Sequence, residues 1–231
     1  MELHYKQFGE GKAFIVLHGL FGSSDNWQTH GKKLAEYYDV YLIDQRNHGE
    51  SGWSEDFSYD IMADDLHEFI QKNELKEIIL MGHSMGGKTA MRYAQKHPEM
   101  IEKLIIVDMG VKEYPISHDG IIDGLKSIDL SVIDSRSGAS EQLSKYIDNK
   151  SVRQFLLKNL YWKEKGQLAW SINLPVLDAK LSEIVKALPK EETMVDTLFI
   201  AGGKSDYVLP EDHDAIRNIF PLADFHTIER A

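Results

Sequence analysis

Short, largely apolar runs at Ala13 to Leu17, Ile78 to Met81, Leu104 to Val107 and Thr197 to Ala201 are separated by stretches in which apolar residues recur every three or four positions. Runs of four or five such residues bounded by turn residues read as strands buried on both faces, and the longer spacing reads as helices packed along one side. Glu2 to Phe8, Tyr38 to Ile43 and Phe225 to Ile228 add three further strands. Helices are predicted over Asp25 to Tyr37, over Tyr59 to Asn73 with Met62, Leu66, Phe69 and Ile70 on one face, and over Ser84 to Lys96, which Pro98 stops. Strand, helix, strand in repetition implies parallel pairing, hence an α/β domain built on a doubly wound, mostly parallel sheet. From Val111 to Glu192 the pattern becomes helical with few strand signals, as expected of an insertion. The predicted organisation is a core of residues 1–110 and 193–231 carrying a helical cap over 111–192.

Composition narrows the function classes. The 231 residues are 42% hydrophobic and 27% charged, ordinary for a packed globular chain. With 26 Lys plus Arg against 37 Asp plus Glu, the net charge of -11 argues against general nucleic-acid or anionic-membrane binding. No cysteine is present, which excludes disulfides, thiolate catalysis and cysteine metal sites and fits a reducing compartment. The early apolar run Ala13 to Leu17 is too short for a signal sequence, so a cytoplasmic protein is expected.

The chemistry concentrates at strand ends, where open α/β sheets bind their ligands. Gly82-His83-Ser84-Met85-Gly86 follows one predicted strand and opens a helix, the context of a nucleophile elbow. A serine hydroxyl is a weak nucleophile at neutral pH, and such a turn exposes it beside the N–H of the next residue. Ser84 is therefore the candidate nucleophile. His18-Gly19-Leu20-Phe21-Gly22 ends the strand Ala13 to Leu17, and that turn can aim the Leu20 N–H at the same oxyanion as the Met85 N–H. Asp44 to Ser51 ends the next strand and reads as architectural, with Asp44 and Arg46 pinning loops. The histidines lack a metal-ligand spacing such as H-E-x-x-H, and no cofactor is expected.

His-Gly-Leu-Phe-Gly-Ser at 18–23, Asp-x-Arg-Asn-His-Gly-x-Ser at 44–51 and Gly-His-Ser-Met-Gly-Gly-Lys at 82–88 resemble the α/β-hydrolase superfamily and, within it, the small YbfF-like esterases. Phe155 to Leu160 and Asn173-Leu174-Pro175 are similar to that subfamily's cap, and Gly202 to Tyr207 to its turn after the seventh strand. The resemblance implies the α/β-hydrolase fold and hydrolysis of an ester or thioester. Many members carry the acidic triad residue after the strand Thr197 to Ala201, where this chain has Ser205 followed by Asp206. By resemblance to the subfamily, Asp108 supplies the carboxylate and Ser205 is a hydrogen-bonding auxiliary, with Asp206 the alternative acid. The acid's task is to fix the imidazole tautomer and stabilise the imidazolium.

The family also places Gly-His shortly after the last strand, whereas the sequence ends Glu229-Arg230-Ala231. The expectation is that the functional polypeptide continues with the histidine and a final helix, and that a chain ending here is nearly inactive. His226, inside the predicted terminal strand, is the nearest substitute.

The expected reaction is acyl transfer through an acyl-enzyme on Ser84, with a small-molecule acyl ester or thioester as substrate. Phe21, Phe155, Leu156, Trp162, Trp170 and Tyr207 are candidates to line an apolar acyl pocket, which favours short to medium acyl groups over peptides or sugars. Two other readings stand beside it: another reaction on the same fold, such as carbon–carbon cleavage or a lyase step, and a non-catalytic ligand-binding module. The sequence leaves the oligomeric state open.

Overall fold

The computed structural model describes residues 1–115 and 120–231. Seven strands form one sheet: β1 (Tyr5–Phe8), β2 (Ala13–Leu17), β3 (Asp39–Ile43), β4 (Ile78–His83), β5 (Ile101–Val107), and two later strands that follow the cap. Helices α1 (Gln28–Leu34), α2 (Tyr59–Lys72) and α3 (Met85–Lys96) connect them. The cap comprises α4 (Ile121–Lys126), α5 (Arg136–Leu143), α6 (Lys150–Leu156), the hairpin β6 (Leu160–Glu164) and β7 (Gln167–Trp170), α7 (Leu174–Ala179) and α8 (Leu181–Val185). The chain then returns through β8 (Thr197–Gly202), α9 (His213–Arg217) and β9 (Ala223–Ile228). The sheet order is β1-β3-β2-β4-β5-β8-β9, with β1 antiparallel at one edge and every other pairing parallel.

The apolar runs become central strands because both sheet faces are covered. Ile15, Leu17, Ile43, Leu80 and Ile106 face α2 and α3, while Phe14, Val16, Leu42, Ile79 and Met81 face the side of α1. Successive residues of a strand point to opposite faces, so a continuous run fills both layers. Met62, Leu66, Phe69 and Ile70 form the buried stripe of α2, whose N-cap Ser58 accepts the Ile61 N–H at 3.3 Å.

Two expectations change. The helix predicted over Asp25 to Tyr37 is a 3-10 turn, Ser24–Trp27, followed by the short α1, since Asn26 takes the Ser23 N–H at 2.8 Å and tightens the entry. The cap is not wholly helical. The β6–β7 hairpin lies within it, buried at Leu160 and Leu168 while Tyr161 and Trp162 stay exposed. Among the described residues, no helix is long and apolar enough to cross a membrane.

Candidate active site

Ser84 stands between β4 and α3 with φ +51° and ψ -120°, a backbone region that costs a non-glycine residue free energy and persists only when its surroundings enforce it. The enforcement is visible on both sides. A Cβ on Gly82 would lie 2.2 Å from the Gly86 carbonyl oxygen, and one on Gly86 would lie 2.5 Å from the His18 carbonyl oxygen, so strand and helix close on each other only with glycine at both positions. Ser84 N–H donates to the Val107 carbonyl at 3.0 Å, and the Ser84 carbonyl accepts from Gly87 at 2.8 Å. Met85 is the first residue of α3, so its N–H has no partner within the helix and is free to serve a developing oxyanion.

Asp108 is the counterpart on the neighbouring strand. In the parallel register His83 pairs with Val107, so Ser84 and Asp108 are the next residues beyond one paired position, and Asp108 also has positive φ, +52°. Asp108 N–H donates to the Ile200 carbonyl at 2.8 Å. Its carboxylate accepts from Ser205 Oγ at 2.9 Å and from Gly202 N–H at 3.2 Å. The last residue of β8 and the turn after it therefore deliver a backbone N–H and a hydroxyl to Asp108. Asp206, next along that turn, is exposed.

The loop carrying Leu20 is fixed by two buried imidazoles. His18 Nδ1 is 2.8 Å from the Gly19 carbonyl, so it must donate, leaving Nε2 to accept the Gln45 N–H at 3.0 Å. His48 repeats the logic: Nδ1 donates to the Arg46 carbonyl at 2.9 Å, and Nε2 accepts the Phe21 N–H at 3.3 Å. Burial lowers the pKa of both, His48 to about 3, and both rings are neutral at pH 7. With each nitrogen engaged, neither ring can act as a general base. Phe21 has φ +58°, and the cap grips it from above through Asn159 Nδ2, which donates to its carbonyl at 2.8 Å.

The loop from Asp44 to Ser51 links these parts. Asp44 accepts from Ser24 N–H at 2.6 Å, Glu50 N–H at 3.0 Å and His4 Nδ1 at 2.9 Å, and these donors hold its carboxyl below the usual range against the opposing effect of burial. Arg46 Nε and Nη2 donate to the two Asp65 oxygens at 2.6 and 2.9 Å. Asn47 receives the cap: Asn173 N–H donates to its carbonyl at 3.0 Å, and Asn173 Nδ2 to its side-chain oxygen at 3.1 Å.

A cleft of about 320 Å³ opens at Ser84, lined among others by Leu20, Trp27, His30, His83 and Phe155. His83 is largely buried, which lowers its pKa, although the Asp108 charge pulls the other way. Of the expected acyl-pocket residues, Phe155 lines this cleft. Phe21 and Leu156 are packed into the apolar core shared by the cap and the loop carrying Leu20, and Trp170 lies against that core. Trp162 is 48% exposed on β6, and Tyr207 lies at the surface with its ring 5.0 Å from that of Tyr114. These positions correct the expected lining, because the cap needs its own apolar interior and takes Phe21 and Leu156 for it.

Trp27 and His30 carried no sequence signal as site residues. Their spacing of three, on the helical segment after the loop carrying Leu20, puts both rings on one face, with centroids 5.6 Å apart. His226 sits in β9 opposite Ile200 and is exposed. Among the described residues, no group of three or more His, Asp or Glu side chains is placed to hold a metal ion.

Comparison with known proteins agrees with this geometry. Residues 12–119 match the family model described as the alpha/beta hydrolase fold. The chain is 38% identical over 228 residues to a Mus musculus protein named sn-1-specific diacylglycerol lipase ABHD11, covering 95% of this chain and 74% of that one. It is 31% identical to Esterase YbfF of Escherichia coli (strain K12), covering 94% of this chain and 84% of that one. A solved structure of a marine microorganism esterase superposes with a TM-score of 0.95 at 44% identity, covering 98% of this chain and 90% of that one. The strained serine, the parallel sheet and these similarities together make the chain a member of the α/β-hydrolase family, in a group that includes YbfF.

Proposed function

We propose that the protein is a carboxylic ester hydrolase that cleaves short to medium acyl esters or acyl thioesters through an acyl-enzyme on Ser84. The observation that carries this reading is the Ser84 elbow opening on a largely apolar cleft, with the buttressed Asp108 carboxylate at the adjacent strand end. Relatives named esterase and lipase support the reaction class.

In this reading the Ser84 oxygen attacks the acyl carbonyl, and the hydroxyl proton passes to the histidine that the family resemblance implies shortly after the last strand, since no described histidine hydrogen-bonds Ser84 or Asp108. Asp108 fixes the tautomer of that ring and stabilises its charged form. The N–H groups of Leu20 and Met85 stabilise the oxyanion, and the same imidazole returns its proton to the departing alcohol or thiol. Water then attacks the acyl-enzyme, the imidazole takes its proton, and the acid leaves as Ser84 is regenerated. None of these steps calls for a cofactor.

Cleft volume supports the substrate size. At about 30 Å³ for each water-sized group, the cleft accommodates about ten non-hydrogen groups, which fits an acyl chain of a few carbons and its leaving group. Its walls are mostly apolar and include Trp27, Phe155 and Leu20. The lack of cysteine fits work in a reducing compartment such as the cytoplasm.

The test is a series of p-nitrophenyl esters and matched acyl thioesters from acetyl to decanoyl, with products identified by mass. The reading expects free acid as product and a kcat/KM maximum at hexanoyl or below. A product retaining the acyl group on carbon, or no turnover with any ester or thioester, would contradict it.

A further inference from the structure

Lys88 lies on α3, one turn beyond Ser84, and its side chain is fully buried. Its ammonium donates to the carbonyls of Lys112 at 3.0 Å and Val185 at 3.1 Å, and also to that of Lys186. Three donors thus meet three acceptors. Lys112 belongs to the segment that enters the cap, while Val185 and Lys186 belong to the segment that leaves it. The two segments also bind each other: Tyr114 N–H donates to the Val185 carbonyl and Leu188 N–H to the Val111 carbonyl, both at 2.9 Å.

Two tyrosines complete the enclosure. The Lys88 ammonium lies 5.0 Å from the ring centre of Tyr114 and 5.9 Å from that of Tyr59. The buried Tyr59 hydroxyl donates to the Ile184 carbonyl at 2.6 Å. Tyr114 Oη donates to the Tyr207 carbonyl at 2.6 Å and accepts the Gly110 N–H at 2.7 Å, so the same node reaches the turn that carries Ser205. Among the described residues, no carboxylate lies within ion-pair distance of Lys88.

A buried cation whose nearby charge, Glu113, attracts it without forming an ion pair is costly, and an apolar side chain of equal volume would fill the space without that desolvation. General core packing therefore does not account for a lysine here, whereas simultaneous capture of three carbonyls on two chain segments does. We propose that Lys88 is a positioning residue: it clasps both connections of the cap to the helix that begins at Ser84, and so fixes how the cap sits over the nucleophile.

Hydrogen exchange on the whole chain, read by mass spectrometry, tests the clasp without relying on turnover. Lys88→Met keeps the volume of the stem and removes every donor. Peptides containing Tyr114 and Leu188, and those of the cap helices, should then exchange at least tenfold faster while β4 and β5 keep wild-type rates. Unchanged rates in the connecting segments would overturn the proposal, and so would equal acceleration in β4 and β5, which would mark ordinary core support. Lys88→Gln retains two donors one bond short of the carbonyls; it provides the milder variant should Lys88→Met not fold. It should show an intermediate acceleration in the same peptides and is decided by the same two contrary results.

Kinetics add a second readout. KM for a hexanoyl ester should rise at least fivefold in Lys88→Met, with kcat for an acetyl ester within twofold of wild type; equal losses for both esters would contradict positioning. This arm rests on the esterase reading. If wild-type protein turns over no ester, that reading fails while the exchange result still decides the clasp.

Discussion

Ser205 Oγ donates to Asp108 Oδ2 at 2.9 Å, joining the ends of neighbouring strands β5 and β8, and the same hydroxyl accepts the Tyr207 N–H at 3.2 Å. The pair distinguishes the two candidate acids, since Ser205 binds Asp108 and Asp206 is the next residue along. Asp108 is held in place by two donors at a strand end beside Ser84, whereas Asp206 faces solvent. In a polypeptide that carries the family's histidine, Asp108→Asn should lower kcat by about 10³ to 10⁴-fold, the scale seen when a triad acid can no longer fix the imidazole tautomer. Ser205→Ala removes one hydrogen bond of about 1 kcal/mol and should cost about fivefold. Asp206→Asn should stay within about twofold of wild type. Steady-state kinetics on one acyl ester for all three variants checks the assignment, and a larger loss for Asp206→Asn than for Asp108→Asn would reverse it.

Acid should destabilise the fold through His48. Its folded pKa is depressed to about 3 by burial, while the unfolded ring titrates near 6.5. Above about pH 6.5 both states carry a neutral ring and the contribution is fully present. As pH falls from there toward 3, the unfolded state binds the extra proton and stability is lost at about 1.4 kcal/mol per pH unit from this one ring. His48→Gln keeps an acceptor for the Phe21 N–H and removes the titration. Urea unfolding at pH 7, 6, 5 and 4 should show a shallower decline for the variant than for wild type, and parallel curves would remove His48 from the account.

Asn159 ties the cap to the loop carrying Leu20, donating to the Phe21 carbonyl at 2.8 Å and to the Leu156 carbonyl at 3.0 Å. Asn159→Ala leaves two buried carbonyls without that donor, at a cost of about 1–3 kcal/mol. It also frees the loop that presents Leu20. The expected result is a lowered Tm together with a loss in kcat of about tenfold. An unchanged kcat beside a lowered Tm would confine Asn159 to stability.

Trp27 is the largest side chain lining the cleft. Its ring stands against His30 and, at 6.0 Å between centroids, against His83. Trp27→Ala should shift the acyl-chain optimum upward by two or more carbons and lower kcat/KM for the acetyl ester. An unchanged chain-length profile would show that Trp27 does not border the acyl group.

Much of this arrangement is legible in the chain because it depends on local residue order. β2 and β4 appear as apolar runs since both of their faces are covered, and α2 appears because Met62, Leu66, Phe69 and Ile70 recur at helical spacing. Gly82 to Gly86 announces the elbow, because the close approach of strand and helix demands glycines at fixed offsets. The features that escape a linear reading are tertiary. Asn47 and Asn173 meet across 126 positions, and nothing near either residue signals the other. The β6–β7 hairpin is hidden because Tyr161, Trp162, Lys163 and Glu164 are all exposed and leave no alternation to detect. The acyl lining misleads for a related reason. Apolar residues of the cap look equally suited to a pocket or a core, and only packing buries Leu156 in the core while Phe155 lies against that core and also borders the cleft.

Ser84 is proposed as the nucleophile of this site. Intact-mass measurement before and after exposure to a fluorophosphonate, on wild type and Ser84→Ala, decides this. The account predicts a single covalent adduct on wild type and none on Ser84→Ala. No adduct on wild type, or an adduct that survives Ser84→Ala, would contradict it.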